Sequence, residues 1–529
     1  MKLAILGFGR EGKSLLKFLQ KRGQTQKGTR TDAEKIPRRS ASNEIWVLDK
    51  NGEIKIPKGV QKQTGKSYLK NLEQFNIIFR SPGVPYMLPE IQKARKAGVE
   101  ISSSTKLFLD IINQKPETRN QKPVIIGITG TKGKSTTSTL LYQILKAHRL
   151  GSGQAVRSDS LQAAGKDVYL AGNVGAPMLD ILPRLSALSP RKSAFVILEL
   201  SSFQLQGLDA SPPIAVVLTV FPDHLGAHKS LKEYYGAKTA IARYQKPNDK
   251  IFFFKNETRS RWIAQKSRGK KIGVNEKNFK LFSPKDLLIK GEHNFKNAVM
   301  AAAVAKSLGV PNRIILKVIR KFPGLKHRLE LVRVIRAPRG LTQKSTRTNA
   351  EKIPRKSALN QRWSAIYFYN DSAAHNPGAT IAALKTIAGS TRPVPSRVEG
   401  LTTGGSTQLP RQNSGQVAAG KNIILIAGGK ERGLDYAGLG KIVKRYAKSV
   451  ILIGENKKAL AKAIRMSPPK NGIEIQFANT VPAAVRLAHK IAKPGCSVLF
   501  SPASASFDMF RNYEERGEIF AKEVRRLKQ

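Results

Sequence analysis

The sequence is poor in several things at once. It has a single cysteine, Cys496, so no internal disulfide can form, and this fits a reducing compartment. No run approaches the roughly 20 apolar residues that cross a bilayer, which argues against membrane insertion. Hydrophobic residues make up 40% and aromatics 7% of the chain, a balance suited to a globular protein. The first residues, MKLAILGFGREGK, hold only a short apolar run before Gly, Arg and Glu. They read as a strand and turn and not as a secretory leader, so a cytoplasmic setting is expected. Acidic residues are scarce, with 36 Asp and Glu against 93 Lys and Arg, for a formal charge of +57. A basic surface attracts phosphate backbones without any specific site. Here, however, the basic residues are spread over the whole chain, with no long arm, zinc-finger spacing or aromatic-interleaved RNA-binding signature. No nucleic-acid partner is expected, and attraction for small anionic substrates accounts for the charge as well.

At 529 residues the chain is long enough for about three domains of ordinary size. One internal repeat stands out: TQKGTRTDAEKIPRRSASN at 25–43 and TQKSTRTNAEKIPRKSALN at 342–360, differing at four positions. Neither copy has helical or strand periodicity, and two isolated copies cannot stack as a solenoid. They read as inserts. The strand KLAIL is followed by Gly7-Phe-Gly9-Arg-Glu-Gly12, a helix, and a second strand EIWVLD ending at Asp49. A dinucleotide-type fold expects an acidic residue about 20 positions after such glycines, and removing the first repeat restores that spacing. Polar stretches at about 150–166 and 389–420 read as loops. Strands alternate with helices throughout, which predicts an α/β protein with parallel sheets. Three domains are expected: a Rossmann-like domain at 1–118, a central ATP-binding domain at 119–324, and a second Rossmann-like domain at 325–529 with inserts near 338–362 and 389–420.

The stretch GITGTKGKST, Gly127 to Thr136, carries the chemistry. A buried strand, a glycine loop and a helix follow in the order that turns backbone N–H groups and a helix N-terminus toward an anion. Lys134 is placed to reach terminal phosphates and Ser135 to hold magnesium. The glycines at 127, 130 and 133 do not fit the general G-x-x-x-x-G-K-[ST] spacing, because Ile128 falls where its first glycine belongs. Glu199 ends the apolar strand FVILEL beside this loop, where a carboxylate can bind magnesium; read alone, such a Glu is more often an ordinary strand terminus.

GITGTKGKST resembles the ATP loop of the Mur ligase family, G-x-x-G-T-x-G-K-[ST]. Further segments are similar in the same order: AGNVGAP (171–177), LELSSFQL (198–205), PDHLGAH (222–228), YYGAK (234–238), GEHNFKNAVMAAA (291–303), GLKHRLE (324–330), YNDSAAHNPGAT, AGGKERGLDY and SPASASFDMFRNYEERGEIF. The resemblance implies an ATP- and magnesium-dependent ligase that activates a carboxylate as an acyl phosphate and joins it to an amine. The partners it implies are UDP-N-acetylmuramoyl-L-alanine and D-glutamate, in peptidoglycan precursor synthesis, and a monomer is expected. It assigns ATP to Gly130, Thr131, Lys132, Gly133, Lys134, Ser135, Thr136, Asn294, Asn297, Arg328 and Asp371. It assigns metal to Ser135, Glu199, His224 and a carbamylated Lys238. Lys134, Lys238, His224 and Arg328 are the implied catalytic set. The sugar nucleotide falls to Gly7, Gly9, Gly12, Asp49, Ser81, Gly83 and Asn173, and the amino acid to Arg432, Ser506, Phe507 and Tyr513. A third domain closing over the site is expected to exclude water from the acyl phosphate.

Read without the resemblance, His224 is a loop histidine, Lys238 a lysine on a solvated helix face and Asn294 a helix cap. The first glycine loop alone also fits an NAD domain, but no dehydrogenase set accompanies it. The chain departs from the family pattern at Ala373 and His375, where N-D-S-K-A-T-N has Lys and Thr, and at Thr219, Gly226 and Ala227 near His224. A related ligase for another amino acid, a folylpolyglutamate-type enzyme, and a basic nucleic-acid-binding ATPase relative are the alternatives. The first glycine loop argues against the folate version.

Overall fold

The computed structural model describes residues 1–24, 44–113, 122–150, 168–187, 194–222, 228, 230–289, 291–336, 365–389, 422–468 and 472–528. Both repeats, and nearly all of the two polar stretches, lie outside these residues.

The first sheet holds β1 (Lys2–Leu6), β2 (Glu44–Asp49), β3 (Gln61–Thr64), β4 (Ile77–Arg80) and β5 (Glu100–Ser102), in the order β3-β2-β1-β4-β5. All its pairings are parallel. The order reverses direction between β1 and β4, and this is where open α/β sheets leave a ligand crevice beyond the carboxyl ends of the strands. The second sheet holds β6 (Val124–Thr129), β7 (Val168–Gly172), β8 (Phe195–Glu199), β9 (Ile214–Val217), β10 (Lys250–Phe254) and β11 (Lys270–Val274), ordered β11-β10-β9-β6-β8-β7 and again parallel. Its inner strands VIIGIT and FVILE are almost wholly buried, as continuous apolar runs require when helices cover both faces.

The third sheet holds β12 (Glu330–Arg336), β13 (Ala365–Asn370), β14 (Ile423–Gly428), β15 (Ala447–Ile453), β16 (Glu474–Phe477) and β17 (Ser497–Phe500), ordered β12-β13-β17-β14-β15-β16. One expectation fails here: β12 pairs antiparallel with β13. Its sequence ELVRVIR mixes apolar and charged residues, which suits a half-covered edge strand. Arg333, partly buried, donates to the carbonyls of Val524, Arg525 and Leu527, closing the last turn of the helix Tyr513–Arg526.

The chain divides into two compact units, one of Met1–Leu287 with Glu292–Lys321, the other of Leu288–Gly291 with Phe322–Gln529. The first two sheets, read from sequence as separate domains, thus share a unit. The reason is a common core, in which Leu3, Ile5, Leu15 and Phe79 of the first sheet's layer cluster with Met178, Leu179, Val196 and Leu198 of the second. The second unit has its own cores on the two faces of the third sheet.

Candidate active site

In the first unit, the loop from Gly130 to Gly133 joins β6 to the helix Lys134–Arg149. Gly133 has φ +85°, and a Cβ built on it would lie 2.2 Å from Asn297 Oδ1, so only glycine lets Asn297 pack against the loop. Thr131 pins the loop from the other side. Its N–H donates to Thr219 O at 2.9 Å. Its hydroxyl donates to Phe221 O at 3.0 Å and accepts from Phe221 N at 3.0 Å. The hydroxyl's one hydrogen is thereby used, so the 2.9 Å contact with Tyr234 must be a donation from the phenol.

Two ammonium groups converge on this loop. Lys134 Nζ donates to Gly130 O and Thr131 O, each at 3.0 Å, and Lys238 Nζ donates to the same Gly130 O at 3.1 Å. Lys238 lies on the helix Leu231–Arg243 and is buried, with its ammonium 4.7 Å from the centre of the Tyr234 ring. The solvated helix face is therefore excluded for it. Beside the loop, Glu199 at the end of β8 is fully buried. Its carboxylate accepts from Ser135 Oγ at 3.2 Å, Ser138 Oγ at 3.4 Å and Asn173 Nδ2 at 2.8 Å. These donors are all neutral. A buried carboxylate held by neutral groups next to a lysine-bearing glycine loop is a donor set that fits a hard divalent cation carrying phosphate oxygens.

The helix Glu292–Ser307 brings Asn297 to Gly133. Asn294 is the third residue of that helix and so does not cap it. Burial, helped by the charge of Lys132, pushes His293 below the usual histidine range. His224, Gly226 and Ala227 lie outside the described residues. The nearby His228 is described and buried, with Nε2 3.0 Å from Ser202 Oγ and Nδ1 3.4 Å from Glu233 Oε1.

At the first sheet's switch point, Gly7 and Ser81 follow β1 and β4. Gly7 has φ +92°, and a Cβ there would meet Ser81 Cβ at 2.9 Å. Ser81 Oγ donates to Gly7 O at 2.6 Å. Asp49 braces the glycine loop with one oxygen, accepting from the backbone N–H of Phe8 at 2.6 Å, and accepts with the other from Asn51 N at 2.8 Å in its own turn. Gly9 and Gly83 border open space, while a side chain on Gly12 would strike Gly7 O. Asn173, expected at the sugar nucleotide, directs its amide to Glu199.

In the second unit, Arg328 is exposed and flanked by His327 (φ +61°) and Leu329 (φ +46°), both in the left-handed region that non-glycine residues rarely occupy. Hydrogen bonds hold this turn: His327 N donates to Glu330 Oε2 at 2.9 Å, Ala373 N to His327 O at 3.0 Å, and Leu329 N to Asp371 Oδ1 at 3.2 Å. Asp371 also accepts from Ser501 Oγ at 2.8 Å. His375 uses Nδ1 on Ala373 O. Arg516 is wholly buried and donates to Ser372, Ser504 and Ala505, which fixes the loop leading to Ser506. Ser506 is buried, while Arg432, Phe507 and Tyr513 are exposed.

Burial pushes the Asp371 carboxyl up to about 7, against the pull of Ser501, Leu329 and Arg328. The unfolded chain titrates near the ordinary value of about 3.9. Between the two the folded chain keeps a proton that the unfolded chain has released, so stability falls as pH rises through that window. Asp371→Asn cannot ionise. In urea denaturation of the full chain, its stability relative to the native chain is expected to improve from about pH 5 to about pH 8. A difference independent of pH would contradict this.

Sequence reasoning missed Ser138, three positions after Ser135 and hence on the same helix face. It also passed over Arg10, Glu11 and Gln204, which sit inside motifs whose glycines and carboxylate drew the attention.

Residues 1–103 match the family model described as the Mur ligase MurD-like N-terminal domain, and residues 128–305 match the Mur ligase middle domain. The chain is 31% identical to the UDP-N-acetylmuramoylalanine–D-glutamate ligase of Symbiobacterium thermophilum, over 99% of this chain and 98% of that protein. It is 29% identical to the ligase of the same name from Acetivibrio thermocellus, over 98% and 95%. Among solved structures, the UDP-N-acetylmuramate–alanine ligase MurC of Thermotoga maritima superposes with a TM-score of 0.50 at 17% identity, covering 99% of each chain. MurF from Acinetobacter baumannii gives 0.50 at 16% identity, over 90% of this chain and 85% of that one. These last two share the fold.

Proposed function

Because the chain belongs to the Mur ligase family, we propose that it couples ATP hydrolysis to amide formation, adding D-glutamate to UDP-N-acetylmuramoyl-L-alanine in peptidoglycan precursor synthesis. The observation that carries the reading is the convergence of Lys134, Lys238, Ser135 and Glu199 on one loop. Full-length likeness to D-glutamate ligases supports the choice of substrate.

In this reading the backbone of Gly130 to Gly133 and the start of the following helix cradle the triphosphate, and Lys134 turns from the loop carbonyls to the terminal phosphates. Ser135 and Glu199 hold magnesium, with His224 and a carbamylated Lys238 as further ligands. Magnesium would neutralise charge on the transferring phosphoryl oxygens. Carbamylation would turn the buried Lys238 ammonium into an anion, relieving the crowding of two cations on Gly130 O. Asn294 and Asn297 read the nucleotide, to which the second unit's Arg328 and Asp371 are also assigned. Gly7, Gly9 and Gly12, braced by Asp49 and Ser81, take the sugar nucleotide's diphosphate in the first sheet's crevice. Arg432, Ser506, Phe507 and Tyr513 are assigned to the amino acid, a guanidinium being suited to a carboxylate.

The substrate carboxylate attacks the γ-phosphorus, ADP leaves, and the acyl phosphate formed is opened by the amine of D-glutamate with release of phosphate. Lys134 stabilises the charge that develops on the transferring group. ATP and a nucleotide sugar as substrates support a cytoplasmic setting. The test is phosphate release from ATP with UDP-N-acetylmuramoyl-L-alanine and each candidate amino acid in turn. D-Glutamate is expected to give the largest signal; a larger one with another amino acid would overturn the substrate assignment.

A further inference from the structure

Arg10 and Glu11 occupy the two variable positions between the second and third glycines of Gly7–Gly12, and their side chains leave the loop toward two places. The Arg10 guanidinium donates to the carbonyls of Gly172 and Gly175. The Glu11 carboxylate accepts from Gln204 Nε2 at 2.7 Å. Gly172 ends β7, Gly175 lies just beyond it, and Gln204 lies in the short helix Ser202–Leu205 that follows β8; β7 and β8 are the strand pair whose carboxyl end presents Glu199. Asn173, next to Gly172, gives its amide to Glu199. Ser201, two residues past Glu199, heads a capping box with Gln204.

Gln204 has little freedom. It is buried, and its amide oxygen accepts from Ser201 N at 3.0 Å and from Ser201 Oγ at 3.1 Å. With the oxygen committed, the amide has one orientation, so its NH2 needs an acceptor opposite, and Glu11 supplies it. Burial pushes the Glu11 carboxyl up, while Gln204, Arg10 and Arg80 favour its charged form. Arg80 reinforces the same junction by donating to Phe203 O at 2.6 Å, and Ser14 by donating to Asp180 at 2.7 Å.

We propose that Arg10 and Glu11 are positioning residues that hold the nucleotide-sugar loop in register with the Glu199 carboxylate, so that the substrate's acid group meets the phosphoryl group being transferred. The inference rests on the reading that Gly7–Gly12 carries the sugar nucleotide and Glu199 the magnesium. Neither residue touches the reacting atoms. Loosening the junction leaves both ligands bound but misaligned, and a misplacement of about 1 Å costs on the order of 100-fold in rate.

The experiment measures kcat together with separate calorimetric affinities for magnesium-ATP and for UDP-N-acetylmuramoyl-L-alanine, in Glu11→Ala, Gln204→Ala, the double variant and Glu11→Gln. Each alanine variant is expected to lose at least about 10-fold in kcat while both affinities stay within about threefold. The double variant is expected to fall no lower than the worse single one, because both remove the same bond. Glu11→Gln keeps an acceptor for Gln204 and is expected to stay within about threefold of the native rate. Unchanged kcat in Glu11→Ala, a loss confined to sugar-nucleotide affinity, or multiplying losses in the double variant would each overturn the proposal. Should Glu11→Ala also lose magnesium-ATP binding, its fold has suffered and Gln204→Ala decides. A native chain that makes no amide at all would instead sink the functional reading beneath it.

Discussion

Lys134→Ala abolishes phosphate release, with a loss of at least about 1,000-fold under conditions where the native chain turns over ATP, the sugar nucleotide and D-glutamate. The size follows from the site. Lys134 opens the helix that follows the loop, four residues from the Gly130 carbonyl it holds at 3.0 Å, and in the proposed role a short swing of its flexible stem would carry the charge to the terminal phosphates. Alanine removes both the charge and the reach. Lys238 cannot substitute, since it is buried with its nitrogen held at Gly130 O, and the carbamylation proposed for it would remove its positive charge. The fold is expected to survive, because Gly130 O keeps Lys238 Nζ as a donor at 3.1 Å. A folded Lys134→Ala chain with full turnover would remove the loop from the mechanism.

Gly133→Ala is expected to cost at least about 100-fold in magnesium-ATP affinity, measured by calorimetry. Two penalties coincide. A left-handed φ of +85° costs a non-glycine residue about 1–2 kcal/mol, and the added methyl would sit 2.2 Å from Asn297 Oδ1. Something must shift, and either the loop leaves its cradle shape or Asn297 leaves the loop. Gly98→Ala is the control, because Gly98 also has a positive φ, +92°, but has nothing within 4 Å of an added Cβ. It is expected to lose about 1 kcal/mol of stability and no ATP affinity. Equal affinity losses in the two variants would show that backbone strain in general, and not this contact, is responsible.

The parts of the site legible in the sequence are those written in short spacings. The loop glycines, Lys134 and Ser135 lie within one strand-turn-helix, whereas only the family resemblance separates Glu199 from an ordinary strand terminus. The three sheets follow from alternation of strand and helix. What spacing could not supply is contact across the chain. Glu11 and Gln204 are 193 positions apart, and no periodicity links them. Asn297 was marked for nucleotide recognition, but its packing against Gly133 depends on how the helix Glu292–Ser307 lies over the helix Lys134–Arg149. The antiparallel β12 escaped notice because alternation predicts that strands pair, not which way an edge strand runs. The merging of two expected domains into one unit likewise depends on side chains such as Arg80 and Leu3 finding partners far along the chain.

The turn at His327 and Leu329 has a consequence for how Arg328 works. Two non-glycine residues held left-handed store roughly 1–3 kcal/mol each. The network that imposes this, from Glu330, Ala373 and Asp371, leaves the intervening backbone almost no alternative path. In the phosphate-binding role proposed for Arg328, a guanidinium mounted on so stiff a bracket would meet the anion with its main chain already ordered, leaving only side-chain rotation to be frozen on contact. The bracket therefore converts conformational stress into readiness: the arginine waits in place instead of being recruited.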